Sequence, residues 1–453
     1  MITKIKGTKD YSPVEFLLKD FVTDMFTETV AKAGYVLVET PIMEQATLFR
    51  RSVDDSEIVK KEMYEFKDKG DRDIALRPEG TAPFVRALIE QKWLNDGFSK
   101  FAYYGPMFRY EQPQKGRYRQ FYQAGVEFVG EKAYTKDVEV ILLAAHILDN
   151  LMVDWELKIN TIGDELSRKQ YEEALYNYLL PYKSELSEIS QERLESKKVL
   201  RILDDKEDSQ KPFIKNAPKI ADYLSDESKE YFVKVTRALD AANIEYKVSN
   251  ELVRGLDYYD ETVFEFVTAG KGSTSGLTLI GGGRYSNLIA QLGGDNVSSV
   301  GFGMGIDRVV DVVRENAMEI LKPDTELRHA DVYIAMTNDE DNIAFGTIMG
   351  QNYIATAGLS VYTEHSLIKN KKLFEKAAKR TADFLVYDDK MINPNLLIIR
   401  DMVTGEKVTF SKNEEGIISA LNFILENSDE HITISDSKLV DVTLLIEELE
   451  EGK

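Results

Sequence analysis

The sequence predicts an α+β protein: a core built on an antiparallel sheet flanked by helices, a helical insertion, and a C-terminal α/β domain. Three observations predict it. Two aromatic, β-prone runs at 101–110 and 120–129 flank a polar, basic segment and read as an antiparallel pair with a long loop. Residues 165–240 are dense in Glu, Lys and Ser at helical periodicity and carry prolines at 212 and 218. After Pro323, short apolar runs alternate with helical stretches.

Over 14–33, Phe16, Leu17, Phe21, Met25 and Val30 recur at helical spacing, and Gly34 stops that helix before a strand over 35–42. A strand over 72–76 leads past Pro78 to Thr81, whose side chain is expected to cap a helix through Phe84, Leu88 and Ile89. Glu79, Gly80 and Thr81 thus fall on a strand-to-helix turn. On the second hairpin strand Gln123, Gly125 and Glu127 are spaced by two and share a face. A helix over 137–152 precedes the insertion. Strand character returns at 251–267 and at 276–280, which runs into Gly281, Gly282 and Gly283; a short helix after Arg284 reaches about residue 292. A strand over 300–304 ends where Gly305 opens a helix with Asp307 and Arg308 in its first turn. C-terminal strands are expected at 331–336, 359–363, 383–387 and 396–400. The domains are then 1–325, containing the insertion, and 329–427, with an acidic tail over 428–453 to which the sequence assigns no role.

Composition excludes much chemistry. A chain of 453 residues, 43% hydrophobic and 30% charged, suits a soluble globular protein of two or three domains. It has no cysteine, which removes disulfides, thiolate zinc sites and a cysteine nucleophile. Its four histidines, at 146, 329, 365 and 431, are scattered and match no metalloprotease or hydrolase spacing. The polar start and the lack of a run apolar enough to span a bilayer point to the cytoplasm, with no membrane partner. A net charge of -21 repels polyanions at long range, so a nucleic-acid partner needs local basic patches.

The hairpin and its loop carry Arg109, Glu111, Lys115, Arg117 and Arg119 beside Gln123 and Glu127. Arginine forks match phosphate oxygens, while a carboxylate and an amide on a strand face hold an amine or an imidazole N–H. An exposed basic hairpin with solvated charges explains the same residues equally well. The stretch 254–259 sets Arg254, Tyr258 and Tyr259 around a glycine, and an ordinary edge strand fits it as well. The glycines at 281–283 and at 301, 303 and 305 mark close backbone approach or positive φ, at spacings that are not a dinucleotide fingerprint. Together these features describe phosphate-handling arginines and carboxylates without a nucleophilic triad. A reaction in which the substrate's own carboxylate attacks a nucleotide phosphate needs positioning and charge neutralisation more than a protein nucleophile.

Leu76-Arg-Pro-Glu-Gly-Thr81, Phe108-Arg-Tyr-Glu111, Gln114-Lys-Gly-Arg-Tyr-Arg-Gln-Phe121, Leu252-Val-Arg-Gly-Leu-Asp-Tyr-Tyr259, Gly281-Gly-Gly-Arg-Tyr285 and Gly303-Met-Gly-Ile-Asp-Arg308 resemble, in this order, the histidyl-tRNA synthetase family. The likeness runs from Gly7 to about residue 425. It implies the class II synthetase fold and a homodimer built along the 14–33 helix. It also implies activation of L-histidine by ATP, with Mg2+ bound to the ATP, to histidyl-adenylate and pyrophosphate, then transfer to the 3' end of histidine tRNA. Under the resemblance Arg109 meets the α-phosphate, Arg308 the γ-phosphate, and Glu111 and Arg117 the nucleotide. Glu79, Gly80, Thr81 and Gln123 hold the histidine amine, and Glu127 and Tyr259 face the imidazole with Tyr258 beside them. Arg254 stands where a second metal ion would, at the α-phosphate. Gln114 and Arg119 meet the tRNA acceptor end, and the domain from about residue 330 reads the anticodon.

The chain departs from the family's pattern at Gln112, at Asp260 and Glu261, where a small residue and an arginine are usual, and at Ser286, where aspartate is usual. Asp260 and Glu261 are expected to add negative charge near the pocket. The C-terminal module keeps the pattern over 366–379 only at Ser366, Leu367, Lys372, Ala377 and Ala378. The alternative is the non-catalytic paralogue, the ATP phosphoribosyltransferase regulatory subunit. Such proteins lack the C-terminal module and lose catalytic arginines, whereas Arg109, Arg254, Arg308 and the module are all present here.

Overall fold

A computed structural model of the chain describes residues 1–52, 61–111, 117–203, 205, 207–250, 252, 258–269, 274–321 and 327–427. Arg254, Gln114, Gln112, Lys115 and the tail from 428 lie outside them. The chain divides into two units, Met1–Ile320 and Leu321–Lys453.

In the first unit the strands are, in chain order, β1 (Val36–Leu37), β2 (Met43–Gln45), β3 (Glu65–Lys67), β4 (Asp73–Leu76), β5 (Lys100–Phe108), β6 (Gln120–Gly130), β7 (Trp155–Thr161), β8 (Tyr246–Val248), β9 (Asp260–Thr268), β10 (Thr278–Tyr285) and β11 (Ser298–Gly305). Strands β2, β4 and β3 form a small antiparallel sheet, and the other eight form the main sheet in the order β1-β5-β6-β11-β10-β9-β7-β8. Its six central strands are antiparallel to their neighbours; β1 and β8 pair in parallel at the edges. The expected strand over 35–42 shrinks to the two residues of β1, and the glycine triplet lies inside β10 rather than after it.

One face of this sheet is stripped of side chains along a central stretch of β6, β11 and β10. Gly301 and Gly303 on β11 stand opposite Glu127 and Gly125 on β6, and opposite Gly283 and Gly281 on β10. A Cβ would come within 2.4 Å of Gln123 Nε2 at Gly303, and within 2.1 Å of Glu127 Oε2 at Gly301. None of these glycines takes a positive φ, so close approach is their reason. The opposite face is covered by the Tyr134–Asn150 helix, whose buried Asp137 pairs with buried Arg284.

The Pro13–Lys32 helix begins with a capping box between Ser12 and Glu15 and has Pro13 in its first turn. Its buried stripe is Leu18, Val22, Phe26 and Val30; of the positions expected from sequence only Val30 belongs to it. Leu17, Phe21 and Met25 are half-buried and Phe16 is exposed. The insertion is helical: Glu165–Leu179 and the short helices after it pack around their own cluster of Tyr171, Leu175, Leu179, Leu194 and Ile202, while Asp226–Ala241 packs on the Tyr134–Asn150 helix.

The second unit holds β12 (Val332–Ile334), β13 (Val361–Thr363), β14 (Phe384–Tyr387), β15 (Leu396–Asp401) and β16 (Lys407–Ser411), ordered β13-β12-β14-β15-β16. Alternation along the strands builds two cores. Val332, Ile334, Phe384 and Val386 pack under Leu421 and Ile424 of the Glu414–Glu426 helix, while Tyr333, Leu385 and Tyr387 pack with Leu373 and Ala377 of the Leu373–Lys379 helix. Strand β16, polar and at an edge, has no counterpart in the sequence reading.

Candidate active site

The site begins at the turn after β4. Arg77 is buried and donates from Nη1 to Thr40 O at 2.7 Å and from Nε to Pro106 O at 3.0 Å, which ties the turn to β5. Glu79 then accepts the amides of Thr81 and Ala82 at 2.6 and 2.8 Å. The Thr81–Gln91 helix is therefore capped by Glu79, not by the Thr81 side chain; Thr81 is its first residue and Gly80 its N-cap. Burial pushes the Glu79 carboxyl above the usual range, against the pull of those two amides and of Arg109. Gly80 is needed for space, since a Cβ there would lie 2.2 Å from the Tyr103 ring.

From this turn a cavity of about 320 Å³ extends over the glycine floor, within the size range of small-molecule sites. Glu79, Thr81, Arg109, Glu111, Arg117, Gln123, Tyr258, Tyr259 and Arg308 all line it. Residues as far apart in the chain as Glu79 and Arg308 are thus gathered by the sheet. Arg109 donates to Pro78 O at 2.8 Å and stacks on Phe121, its guanidinium 5.2 Å from the ring centre. Arg308 reaches back from the Ile306–Leu321 helix to donate to Thr278 O at 2.9 Å. Burial and the neighbouring guanidiniums of Arg117 and Arg109 depress the Arg308 pKa. Glu111 lies between Arg109 and Arg117, at 3.9 and 3.5 Å. A half-buried cluster of three guanidiniums is a site built for a multiply charged anion.

Glu127 is not at the cavity surface. It is 1% exposed and takes the hydroxyls of Tyr103 at 3.1 Å and Tyr285 at 2.6 Å. Burial pushes its carboxyl up to about 8. An acid whose pKa rises on folding keeps its proton in the folded state where the unfolded chain has lost it. Its stabilising contribution is thus full below the ordinary glutamate value and is lost as the pH climbs toward about 8. Between about pH 5 and about pH 9 the unfolding midpoint should fall more steeply in the unaltered protein than in Glu127→Gln. Parallel pH profiles would show that Glu127 is ionised throughout.

Arg119 also stays outside the cavity, its guanidinium 3.8 Å over the Tyr110 ring. Asp260 and Glu261 do not line the cavity either: Asp260 accepts from Ser286, and Glu261 from Lys132 at 2.6 Å. The negative charge expected there is turned away.

The structure adds residues to those read from sequence: Tyr122, Glu265, Thr278 and Asp307. Asp307 accepts the Tyr122 amide at 2.7 Å and the Tyr11 hydroxyl, which joins the N-terminal segment, β6 and the helix that carries Arg308. Glu265 was detectable as a lone charge in the apolar run of β9. Tyr122 was not, because alternation puts it on the face opposite its neighbour Gln123.

An antiparallel sheet that presents arginines from a hairpin and from the helix after β11 to one cavity is the catalytic core of a class II aminoacyl-tRNA synthetase. The family model described as Histidyl-tRNA synthetase matches residues 7–309. The chain belongs to the histidyl-tRNA synthetase family. It is 39% identical over 428 residues to a histidine–tRNA ligase of Mycoplasmopsis pulmonis, covering 94% of this chain and 99% of that one. It is 40% identical to one of Limosilactobacillus fermentum over 89% of this chain and 94% of that one. Among solved structures, the apo histidyl-tRNA synthetase of S. aureus overlays with a TM-score of 0.74 at 33% identity, over 91% of this chain and 97% of that chain. No helix among the described residues is long and apolar enough to cross a membrane.

Proposed function

We propose that this cavity joins L-histidine to ATP as histidyl-adenylate, releasing pyrophosphate, and then passes the histidyl group to the 3' end of histidine tRNA. One observation carries the reading. Three guanidiniums at one part of the cavity, and Glu79, Gln123 and two tyrosines at another, share a floor cleared of side chains.

A histidine carboxylate oxygen attacks the α-phosphorus while the bond to the leaving pyrophosphate breaks, and negative charge grows on the phosphate oxygens. Arg109 and Arg254 answer that charge at the α-phosphate and Arg308 at the γ-phosphate, with Glu111 and Arg117 holding the nucleotide. Glu79, Thr81 and Gln123 bind the ammonium and Gly80 keeps their turn tight. Tyr258 and Tyr259 flank the imidazole, and Glu127 acts from behind through the hydroxyls of Tyr103 and Tyr285. Glu111 and Glu265, carboxylates of the cavity, would hold a Mg2+ ion bound with ATP, which would supply charge neutralisation along the triphosphate.

Gln114 and Arg119 lie on the hairpin segment that receives the acceptor end. The 329–427 domain reads the anticodon. Support for that comes from 365–380, with six basic residues against one acidic in a chain of net charge -21. Beside it Arg380 lies 3.6 Å over the exposed Tyr362 ring, which stacks on buried Tyr333 at 5.8 Å, so the guanidinium plane is held where an unpaired base can stack on it. Exposed Phe16, Ile42, Met43 and Phe66 support a homodimer along the first helix and the small sheet. Light scattering at micromolar protein should give twice the chain mass, and a monomer alone would overturn the dimer. We place the enzyme in the cytoplasm with its tRNA.

Exchange of labelled pyrophosphate into ATP tests the central claim without tRNA. Histidine alone among the amino acids should support it. No exchange with folded, ATP-supplied protein would favour the regulatory alternative. Arg380→Glu should leave exchange unchanged and lower kcat/KM for tRNA charging by about tenfold or more.

A further inference from the structure

Between Gly283 and Arg284 the pairing of β10 with β9 slips. Gly283 faces Val263, but Arg284 faces Asp260. In unbroken register Asp260 would stand opposite position 286, so the slip draws the start of β9 back by two residues, about 7 Å. Glu261, inside this bulge, takes φ +48°, a left-handed conformation disfavoured for any residue with a Cβ. Tyr258 and Tyr259 immediately precede it. The slip brings Tyr259 against Gly283, where a Cβ would lie 2.9 Å from Tyr259 Cδ1, and sets the Tyr258 ring edge-on to Tyr285 at 5.5 Å.

Contacts on both sides hold the bulge. Asp260 accepts the Ser286 amide at 2.8 Å and its hydroxyl at 3.0 Å. The Ser286 hydroxyl lies 3.0 Å from that of Ser298, which takes a bond from Arg284 at 2.6 Å. Glu261 swings the other way, accepting from Lys132 Nζ at 2.6 Å and Ser228 Oγ at 3.1 Å, while its amide donates to Gly163 O at 2.9 Å. Asp260, Glu261 and Ser286 do not line the cavity; Tyr258, Tyr259 and Gly281 do. Any influence of the clasp on substrate therefore passes through the two tyrosines.

We propose that the Asp260–Ser286 clasp, with Glu261 folded out to Lys132 and Ser228, is a positioning device that sets Tyr258 and Tyr259 against the amino-acid part of the cavity. This rests on the reading of those tyrosines as flanking the histidine imidazole. Without the clasp the bulge can relax toward regular pairing, which would carry both rings away from Gly283. Clasp residues should then raise KM for histidine and not KM for ATP, because Arg109, Arg117 and Arg308 sit on the β5–β6 hairpin and the helix after β11, while Arg254, on the stretch before the bulge, acts on the charge that builds at the α-phosphate and would register in kcat. The clasp is also exchangeable in principle, since a carboxylate at 286 can accept from a serine at 260.

The test is pyrophosphate exchange with the full chain carrying Asp260→Ser, Ser286→Asp, or both. Each single change should raise KM for histidine by about tenfold and leave KM for ATP within about twofold. The double change should recover most of the loss. Asp260→Asn, which keeps the shape and one acceptor oxygen, should give a smaller rise and serves if Asp260→Ser does not fold. Equal effects on both substrates, additive losses in the double variant, or an unchanged histidine KM would each overturn the clasp. If the unaltered protein shows no histidine-dependent exchange, the reading of the tyrosines fails first and the clasp with it.

Discussion

Replacing Arg109 with alanine is expected to lower kcat/KM for histidine-dependent pyrophosphate exchange by about a thousandfold. Its guanidinium is fixed from two directions, by the bond to Pro78 O at 2.8 Å and by the Phe121 ring. A donor held this way needs no reorganisation when charge builds on the phosphate, which is why such groups carry much of the rate in phosphoryl and adenylyl transfer. Arg109→Lys should recover little, because a point charge on a flexible stem reproduces neither the planar fork nor the stacking. The loss should appear mainly in kcat at saturating ATP. Exchange kinetics with both variants would check it, and a fall of less than about tenfold in the alanine variant would remove Arg109 from the chemistry.

Asp137→Ala is expected to destabilise the first unit by about 3–5 kcal/mol. Arg284 and Asp137 are both fully buried, and every Arg284 nitrogen is engaged: Nε and Nη2 by Asp137, Nη1 by Ser298 at 2.6 Å, and Nη2 also by Ala133 O at 3.1 Å. Tyr231 adds a hydroxyl to Asp137 at 2.7 Å. Removing the carboxylate leaves a buried guanidinium without its counter-charge, a far larger loss than a surface ion pair would give. The chain has two tryptophans, Trp93 and Trp155, both in this unit, so their fluorescence during denaturant unfolding reports on it alone. The double variant Asp137→Ala with Arg284→Leu should lose less than the single one, because it leaves no orphaned charge. A shift below about 1 kcal/mol in the single variant would show that water reaches the pair.

Arg284 also marks how far the motifs could be read. It sits in Gly281-Gly-Gly-Arg-Tyr285, one of the matched motifs, yet alternation sends Gly283 and Tyr285 to the cavity face and Arg284 to the helix. Arg77, in another motif, is likewise absorbed by backbone carbonyls. Motif arginines thus divide into those that hold the strands and those that meet ligand, and period-two alternation alone could sort Arg284. The buried stripe of the first helix shares only Val30 with the positions its sequence suggests, because that helix is apolar on two sides, and local periodicity does not say which side meets the core.

What the sequence determined by itself was local or compositional. The hairpin, the helical insertion and the C-terminal α/β pattern follow from periodicities of 2 and 3.6, and the arginines, carboxylates and glycines of the site follow from motifs whose order identifies the family. Only the tertiary structure decided what depends on contacts between distant strands. It retired Glu127 behind Tyr103 and Tyr285, brought Glu265 and Asp307 into the cavity, and paired Asp260 with Ser286. In the chain those last two residues are separate departures from a pattern; in the sheet they are each other's partners. Strand register and a bulge set that relation, and both are fixed by long-range packing and pairing that no single stretch of sequence contains.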